Sequence, residues 1–240
     1  MTTYVLKFGG AALANIEQIE RVADITAAHA AESEHLIVVV SAMGDMTDQL
    51  LSMAHSVHPD PPKREQDMLI SVGERISMAL LAMALHKRSV KAISLTGSQS
   101  GVITCTRHGE ADILEVRPIR VQKHLDEGNV VIVAGFQGVS ADKEITTLGR
   151  GGSDTSAVAL GAALNAKEII FYKDVLGIYD ADPETSPGAQ LLSHLTYAQA
   201  LPLCDSGGVI APRAIRLAEK HGMPLRVRSF VEPGSGTCVS

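Results

Sequence analysis

Short, mostly apolar runs alternate along this chain with longer segments whose apolar residues recur at helical spacing. The apolar runs occupy residues 3–8, 35–42, 91–97, 129–136, 168–175 and 224–229. The helical patterns occupy residues 15–32, 63–87, 117–126, 154–165 and 209–221. Buried strands separated by helices are typical of a parallel sheet with helices packed on both faces. We therefore predict an α/β fold around a mostly parallel sheet.

The composition excludes several classes of protein. The 240 residues are 45% hydrophobic and 20% charged, without a linker, repeat or low-complexity tract, so we predict one soluble domain over residues 1–240. A net charge of -6, 3% aromatic residues and no tryptophan argue against nucleic-acid binding. No run approaches ~18 uninterrupted apolar residues, so we expect no membrane span and a cytoplasmic location. Cys105, Cys204 and Cys238 are spaced too widely for a zinc site or a disulfide framework.

Charged and small residues follow the first predicted strand, and ligands of parallel α/β sheets bind beyond the carboxyl ends of the strands. Lys7 ends this strand and is followed by Gly9 and Gly10. A lysine beside a glycine turn can bring its ammonium group and bare backbone N–H groups to phosphate oxygens. An ordinary turn with a solvated lysine is an equally good interpretation of these residues alone.

Hydroxyl and acidic residues mark the next segments. Ser41 and Thr47 follow the second strand and can bind a carboxylate or phosphate, although Thr47 fits a helix N-cap somewhat better. Glu74 lies in an otherwise apolar helical stretch, where a glutamate needs a positively charged partner. That partner is either a neighbour such as Arg75 or the ammonium group of a ligand, and a solvated helix face is the alternative.

The segment TTLGRGGSDTSAVAL, residues 146–160, places Arg150 among three glycines just before a predicted helix. Glycines leave the backbone accessible, and the free N–H groups at a helix start attract anions. Ser153 and Asp154 stand at this start. The segment therefore predicts an anion-binding site.

A loop after the strand at 168–175 supplies Lys173, Asp174 and Tyr179. It can hold a nucleotide through backbone groups and the tyrosine, or it can be a plain hairpin or Asp-Pro turn. The strings around His29 and Ser206 resemble motifs of trypsin-like proteases, which are all-β. We therefore interpret His29 as a helix-surface or boundary residue and Ser206 as a turn residue.

Taken in order, these segments resemble the catalytic domain of aspartate kinases, in the amino-acid kinase family. The resemblance covers nearly the whole chain, and LGRGGSD is its most discriminating part. The matching blocks are KFGG (7–10), VSAMGDMTD (40–48), SVGERIS (71–77), SLTGSQSGV (94–102), VAGFQG (133–138), TTLGRGGSDTSAVAL (146–160) and KDVLGIYDADP (173–183). The resemblance implies a three-layer α/β/α sandwich. It also implies transfer of the ATP γ-phosphoryl group to the side-chain carboxylate of L-aspartate, giving 4-phospho-L-aspartate for amino-acid biosynthesis.

The resemblance assigns roles to the matching positions. Lys7 and Asp154 would be catalytic, with Lys7 neutralising the transferring phosphoryl group. Arg150 would pair with the α-carboxylate of the substrate and Glu74 with its α-ammonium group. The substrate-binding residues would be Ser41, Thr47, Glu74, Phe136, Arg150 and Ser153. The ATP-binding residues would be Lys7, Gly9, Gly10, Lys173, Asp174 and Tyr179. ATP implies Mg2+ held through phosphates and water, without a protein ligand, and a homodimer is expected by analogy.

The chain departs from the family pattern at three places. Alanines at 11–12 replace two hydroxyl residues, and Glu184 stands where arginine is frequent. Gly208 and Ala211 stand where the family often has lysine and histidine. These losses predict weaker nucleotide binding unless Lys173 supplies the second cation.

The resemblance leaves two alternatives to an aspartate kinase. One is a kinase for a related amino acid, and the other is a catalytically weakened subunit that binds aspartate or nucleotide. We expect no regulatory ACT domain within residues 1–240, and hence no lysine or threonine feedback site in them.

Overall fold

Two sheets form the frame of the computed structural model, which describes residues 2–183, 185–186, 188–204 and 208–240. Their strands are β1 (Thr3–Phe8), β2 (His35–Val40), β3 (Ala92–Leu95), β4 (Val102–Thr104), β5 (Ile113–Val116), β6 (Val130–Ala134), β7 (Gln137–Ser140), β8 (Ile145–Thr147), β9 (Glu168–Lys173), β10 (His194–Leu195), β11 (Leu225–Ser229) and β12 (Thr237–Val239). The larger sheet orders eight of these strands as β10-β12-β11-β9-β1-β2-β6-β3. Neighbours in it run parallel, except β11 and β12. The predicted mostly parallel sheet is confirmed.

The smaller sheet, ordered β5-β4-β7-β8, was not predicted from the sequence. Strands β4 and β7 pair in parallel, whereas β4–β5 and β7–β8 are antiparallel. Each strand has only three or four residues. Such short, partly polar strands carry too little apolar periodicity to be read from the chain.

Helices connect the strands. They are α1 (Ile16–Glu32), α2 (Met46–Val57), α3 (Lys63–Ile70), α4 (Val72–Lys87), α5 (Ile119–Asp126), α6 (Gly152–Ala163), α7 (Tyr197–Cys204) and α8 (Pro212–His221), with a 3₁₀ turn at Ala11–Leu13. The single helix predicted over 63–87 is wrong, because Ser71 interrupts it. The N–H of Ser71 donates to the Asp67 carbonyl and its hydroxyl to the Met68 carbonyl, which satisfies the carboxyl end of α3.

Two apolar clusters lie on opposite faces of the larger sheet. Val5 and Val39 pack with α5, α6 and α8, whereas their neighbours Leu6 and Val38 pack with α1 and α4. Successive strand residues point to opposite faces, so each strand contributes to both clusters. The helix–sheet–helix layering confirms the three-layer sandwich.

Helix α6 is buried along most of its length, from Gly152 to Gly161. A Cβ atom at Gly161 would lie 2.8 Å from Ile169 Cδ1 and 3.5 Å from Val5 Cγ2. A larger residue would therefore require the Ile169 side chain to shift, so glycine favours the close packing of the helix on β1 and β9.

The stretch Lys63–Lys87, which comprises α3 and α4, is long and apolar enough to cross a membrane by length and composition. Within the fold, however, 50% of its most apolar window is buried, as is usual for core helices. Among the described residues no other helix meets this criterion. We interpret the stretch as part of the core.

Candidate active site

The carboxyl ends of β1, β2 and β6 open into a cleft of about 850 Å³. Residues that follow parallel strands meet at one edge of the sheet, so distant parts of the sequence converge here. The predicted site residues that line it are Lys7, Gly10, Ser41, Thr47, Glu74, Phe136, Arg150, Ser153 and Asp154. The structure thus brings these side chains together, while their individual roles stay predictions.

Asp154 is a buried carboxylate that contacts two lysines. Its Oδ1 lies 2.5 Å from Lys7 Nζ, and its Oδ2 lies 3.8 Å from Lys173 Nζ. The N–H of Ala211 also donates to Oδ2 at 3.1 Å. Burial opposes ionisation, but the two ammonium groups and the hydrogen bonds lower the pKa of Asp154. The cluster has one more positive than negative charge, which suits a polyanionic ligand.

The pKa of Lys173 reflects the same cluster. Burial and the neighbouring charge of Lys7 lower it, and Asp154 opposes that shift. An added anion would compensate the desolvated charge of Lys173 and offset the repulsion between the lysines. The lysine pair therefore favours binding of negative charge.

Glycine at position 151 determines how α6 begins. Gly151 is the N-cap residue of α6 and has a φ of 70°, in the left-handed region. A Cβ atom there would overlap Ala211 Cβ, so both conformation and space require glycine. Ser153 and Asp154 consequently lie in the first turn of α6, where free N–H groups and the helix dipole favour anions.

The glycine turn after β1 packs against the loop after β2. The carbonyl of Gly10 accepts hydrogen bonds from the N–H groups of Leu13 and Gly44, at 3.0 Å each. A Cβ atom at Gly10 would lie 2.7 Å from the Gly44 carbonyl oxygen. A Cβ atom at Gly9 would lie 3.7 Å from Lys7 Nζ, so this backbone runs beside the lysine. The close approach of the two loops therefore requires glycine at position 10.

Glu74 is a buried carboxylate with one unpaired oxygen. The residue is 2% exposed, and its Oε1 accepts the N–H of Ala42 at 3.1 Å. Its Oε2 is buried without a hydrogen-bond partner among the described residues. Burial raises the pKa of Glu74 to about 7, although backbone hydrogen bonds and Lys7 oppose the shift. A solvated face is therefore the wrong interpretation, and the unpaired oxygen fits a donor from a ligand.

The glycine before this glutamate brings it to the cleft. A Cβ atom at Gly73 would lie 2.7 Å from Ala42 Cβ. Any larger residue would push α4 away from the loop after β2. The hydrogen bond between Glu74 and Ala42 therefore depends on this contact.

The expectation that Thr47 caps a helix is wrong. Asp45 occupies the N-cap position of α2, and Thr47 lies in the first turn, on the cleft. Ser41 directly follows β2, and Ser153 is buried in α6. Arg150 is exposed at the rim of the cleft.

Phe136 has a strained backbone. Its φ of 67° lies in the left-handed region, which aromatic residues rarely adopt. The N–H of Phe136 donates to Ser156 Oγ at 3.1 Å, and its carbonyl accepts the N–H of Leu148 at 2.9 Å. Such strain persists where the surroundings impose it, commonly at functional sites. These bonds hold the aromatic ring at the wall of the cleft.

Asp174 and Tyr179 lie outside this cleft. They line a smaller cavity of about 200 Å³ with Ser229 and Glu232. Tyr179 also pairs with Leu191 in an isolated antiparallel bridge, so the backbone is locally hairpin-like. Contact of this loop with a nucleotide stays a prediction.

Several residues that line the cleft were not predicted from the sequence. They lie on α3 and in the loop between β4 and β5, which belongs to the sheet that was not predicted. They include Lys63, Gln66, Asp67, Arg107, His108 and Glu110. The polar spacing in KREQDM is a signal of an exposed helix face, so no local pattern indicated that it faces a site.

One further candidate, His29, does not line the cleft. His29 lies in α1, with its Nε2 2.8 Å from the Tyr172 hydroxyl oxygen, as a boundary residue. Ser206 and Glu184 lie outside the described residues. Within the ranges that the structure describes, no group of three or more His, Cys, Asp or Glu side chains could hold a metal ion.

Gly208 has no room for a side chain. A Cβ atom there would overlap Cys204 Cα and would lie 2.9 Å from the Leu203 carbonyl oxygen. We expect Gly208→Lys to cost about 1–3 kcal/mol of stability, because backbone atoms must shift, and not to raise activity. Thermal unfolding and turnover of the variant would check this, and a faster enzyme with an unchanged Tm would contradict it.

Comparison with known proteins agrees with this geometry. A sequence model of the amino acid kinase family matches residues 2–229. The aspartokinase of Geobacillus stearothermophilus is 47% identical over 240 residues, which cover 100% of this chain and 59% of that protein. The aspartate kinase structure from Synechocystis superposes with a TM-score of 0.89 at 46% identity, over 99% of this chain and 39% of that one. E. coli aspartokinase III in complex with aspartate and ADP superposes with a TM-score of 0.88 at 26% identity. The superposition covers 98% of this chain and 64% of that one.

This chain thus spans about 59% of the length of the Geobacillus relative. The family match nevertheless extends over nearly all of the chain, and the layers, the sheet order and the cleft are consistent with it. The chain belongs to the amino acid kinase family.

Proposed function

We propose that this chain is an aspartate kinase, which transfers the γ-phosphoryl group of ATP to the side-chain carboxylate of L-aspartate. One observation carries the proposal: a single cleft is lined by Glu74, whose buried Oε2 has no hydrogen-bond partner among the described residues, and by Lys7 and Asp154. Lys173 lies behind this lining, 3.8 Å from Asp154 Oδ2. An amino acid supplies an ammonium group for Glu74, and a polyphosphate supplies negative charge for the lysines. The aspartokinase names of the relatives support this proposal.

In the proposed complex, the α-carboxylate and the α-ammonium group of the amino acid are bound by different residues. Arg150 binds the α-carboxylate through its planar guanidinium group, and Glu74 accepts the α-ammonium group. This orientation turns the side-chain carboxylate towards Lys7 and Asp154. The remaining proposed substrate contacts are the hydroxyls of Ser41, Thr47 and Ser153 and the ring of Phe136.

In the proposed reaction, a carboxylate oxygen of aspartate bonds to the γ-phosphorus as the bond to the β–γ bridging oxygen breaks. The electron pair of that bond leaves with ADP. The attacking carboxylate carries no proton at neutral pH, so the reaction needs no general base. Lys7 and Lys173 neutralise the phosphate charge while Asp154 holds both lysines in place.

We propose that ATP binds with Mg2+, which supplies further charge neutralisation on the phosphates. Asp154 is already paired with two lysines, and the described residues offer no metal-binding cluster. As the family resemblance implies, phosphates and water would hold the ion. Gly9 and Gly10 would donate backbone N–H groups to the phosphates, and Asp174 and Tyr179 would contact the nucleoside.

We further propose that residues 1–240 act as one catalytic domain of a cytoplasmic protein, and that two copies form a homodimer. These proposals rest on the resemblance to relatives. Sedimentation at several protein concentrations would test the homodimer, and a monomer at all of them would exclude it.

The test of the proposed activity is ADP release with ATP and Mg2+ across L-aspartate, L-glutamate, N-acetyl-L-glutamate and UMP. We expect turnover with L-aspartate well above the others. A preference for another acceptor would indicate a kinase for a related substrate. Thermal stabilisation by aspartate or ADP without turnover would instead indicate a binding subunit.

The raised pKa of Glu74 predicts that aspartate binding depends on pH. The ammonium group requires an ionised Glu74, and burial holds the pKa of this carboxyl at about 7 in the free protein. The ionised fraction then falls about tenfold from pH 8 to pH 6, so the KM for L-aspartate should rise by a similar factor. Initial rates at saturating ATP would measure it.

The control for this prediction is Glu74→Gln, which cannot ionise. Its KM for L-aspartate should be high and nearly independent of pH over the same range. Because ATP phosphates also titrate near pH 6, the KM for ATP must be measured in parallel. A wild-type KM for L-aspartate that stays constant between pH 6 and 8 would contradict the role of Glu74.

A further inference from the structure

Asp67 is a fully buried carboxylate whose hydrogen bonds come from two segments that continue into the wall of the cleft. It lies on α3 and is 0% exposed. Its four donors are His108 Nδ1 at 2.8 Å, the N–H of Gly109 at 3.1 Å, the N–H of Thr147 at 3.1 Å and the hydroxyl of Thr147 at 2.6 Å. A buried charge is costly unless it is satisfied in this way.

These donors come from two separate segments of the chain. One is the loop between β4 and β5, which carries His108 and Gly109. The other is the end of β8 at Thr147, three residues before Arg150. Asp67 therefore joins α3 to both segments across 41 to 80 residues of sequence.

The two segments also touch each other. A Cβ atom at Gly149 would lie 3.3 Å from the Gly109 carbonyl oxygen, so the backbones pass in close contact. Arg213 also contacts both segments. Its guanidinium group donates to the carbonyls of Leu148 and Ala111, at 3.0 and 3.1 Å. The segment leading to Arg150 is thus held between two charged side chains, one on α3 and one on α8.

We infer that Asp67 is a positioning residue for the amino-acid end of the cleft. It sets the backbone from Thr147 to Arg150 and places His108 on the cleft wall, and thereby determines the affinity for the substrate α-carboxylate. This inference rests on the proposed function. It adds a residue whose carboxylate oxygens accept hydrogen bonds from within the protein and which acts through Arg150.

The main test is Asp67→Asn, which keeps the size of the side chain. It replaces one oxygen that accepts hydrogen bonds with an NH2 group, which cannot accept them from the surrounding donors. Loss of a residue that orients a metal ligand typically costs about 10–100-fold in affinity, and by the same reasoning the KM for L-aspartate should rise by at least about tenfold. The KM for ATP should change by less than about threefold, because the lysine cluster does not depend on this carboxylate. A lower Tm with an unchanged KM for L-aspartate would show a purely structural role and overturn the inference.

Glu168→Gln is the matched control. Glu168 is another largely buried carboxylate, bonded to Arg226 at 2.8 Å, but it begins β9 at the opposite end of the sheet. This variant should lose stability without a change in either KM.

Two further variants apply if Asp67→Asn does not fold. His108→Gln and Thr147→Val each remove part of the hydrogen-bond network around Asp67, and each should raise the KM for L-aspartate selectively. Unchanged values in both would overturn the inference.

Hydrogen exchange separates this inference from the proposed function. In Asp67→Asn without ligand, amides of residues 105–112 and 147–152 should exchange faster than in the wild type, while α6 beyond its first turn should not. This readout needs no turnover, so an inactive wild-type protein would disprove the kinase activity without deciding the role of Asp67. Equal exchange in both segments would overturn the positioning role.

Discussion

Lys7→Met is expected to lower kcat by about 10³-fold, because removing one preorganised charge from a developing anion costs on the order of 10²–10³ in rate. Lys7 lies 2.5 Å from Asp154 at the buried end of β1, so no solvent cation replaces it fully. The effect should fall on kcat more than on either KM. Steady-state rates with varied ATP and L-aspartate would measure it.

Two variants make this result interpretable. Lys91→Met removes an exposed lysine just before β3, away from the cleft, and should leave kcat unchanged. Lys7→Arg keeps the charge but not its position, so it should recover only part of the rate. Since Lys7→Met also leaves Asp154 with one fewer cation, its Tm and ADP binding must be measured. A folded variant with kcat within about threefold of wild type would refute the role of Lys7.

Arg150→Met is expected to raise the KM for L-aspartate by about 100-fold, as expected for a lost charge-assisted, two-point contact with a carboxylate. The KM for ATP should stay nearly constant, because the lysine cluster remains intact. The same kinetic assay measures both constants. Arg150 is exposed at the rim, so this variant should unfold at nearly the wild-type temperature.

Arg150→Lys separates charge from geometry. It should recover a minor part of the affinity, since an ammonium group cannot make the bidentate contact. Arg64→Met is the matched surface control, because Arg64 pairs with Glu144 at 2.9 Å outside the cleft. A KM for ATP that rises as much as the KM for L-aspartate would contradict the assignment of Arg150 to the amino-acid end.

The larger sheet and the residues at its strand ends could be predicted from the sequence. β1, β2, β6 and β9 are nearly continuous apolar runs, and each ends at a polar or glycine-containing segment. Because the strands are parallel, the positions that follow them had to converge. This is why Lys7, Ser41 and Lys173 could be assigned to one edge from the strand pattern, whereas Phe136 was given only by the family resemblance.

The rest depended on contacts that no local pattern encodes. β7 reads QGVS and β8 reads ITT, which are too short for a periodic signal. The break at Ser71 has no proline, and it is stabilised by bonds within α3 itself. Asp67 looks like an ordinary polar helix residue until the small sheet brings Thr147 to it, 80 residues away in the chain.

The buried helix α6 contributes both to the candidate site and to the core of the protein. The helix presents Asp154 in its first turn, while Ala157, Val158 and Leu160 are fully enclosed between sheet and helices. Any side chain that changes volume there must move the carboxylate as well as the core. Substitution scans across this helix will therefore record fitness losses that mix expression with turnover, and engineering of substrate preference is better directed at the rim loops.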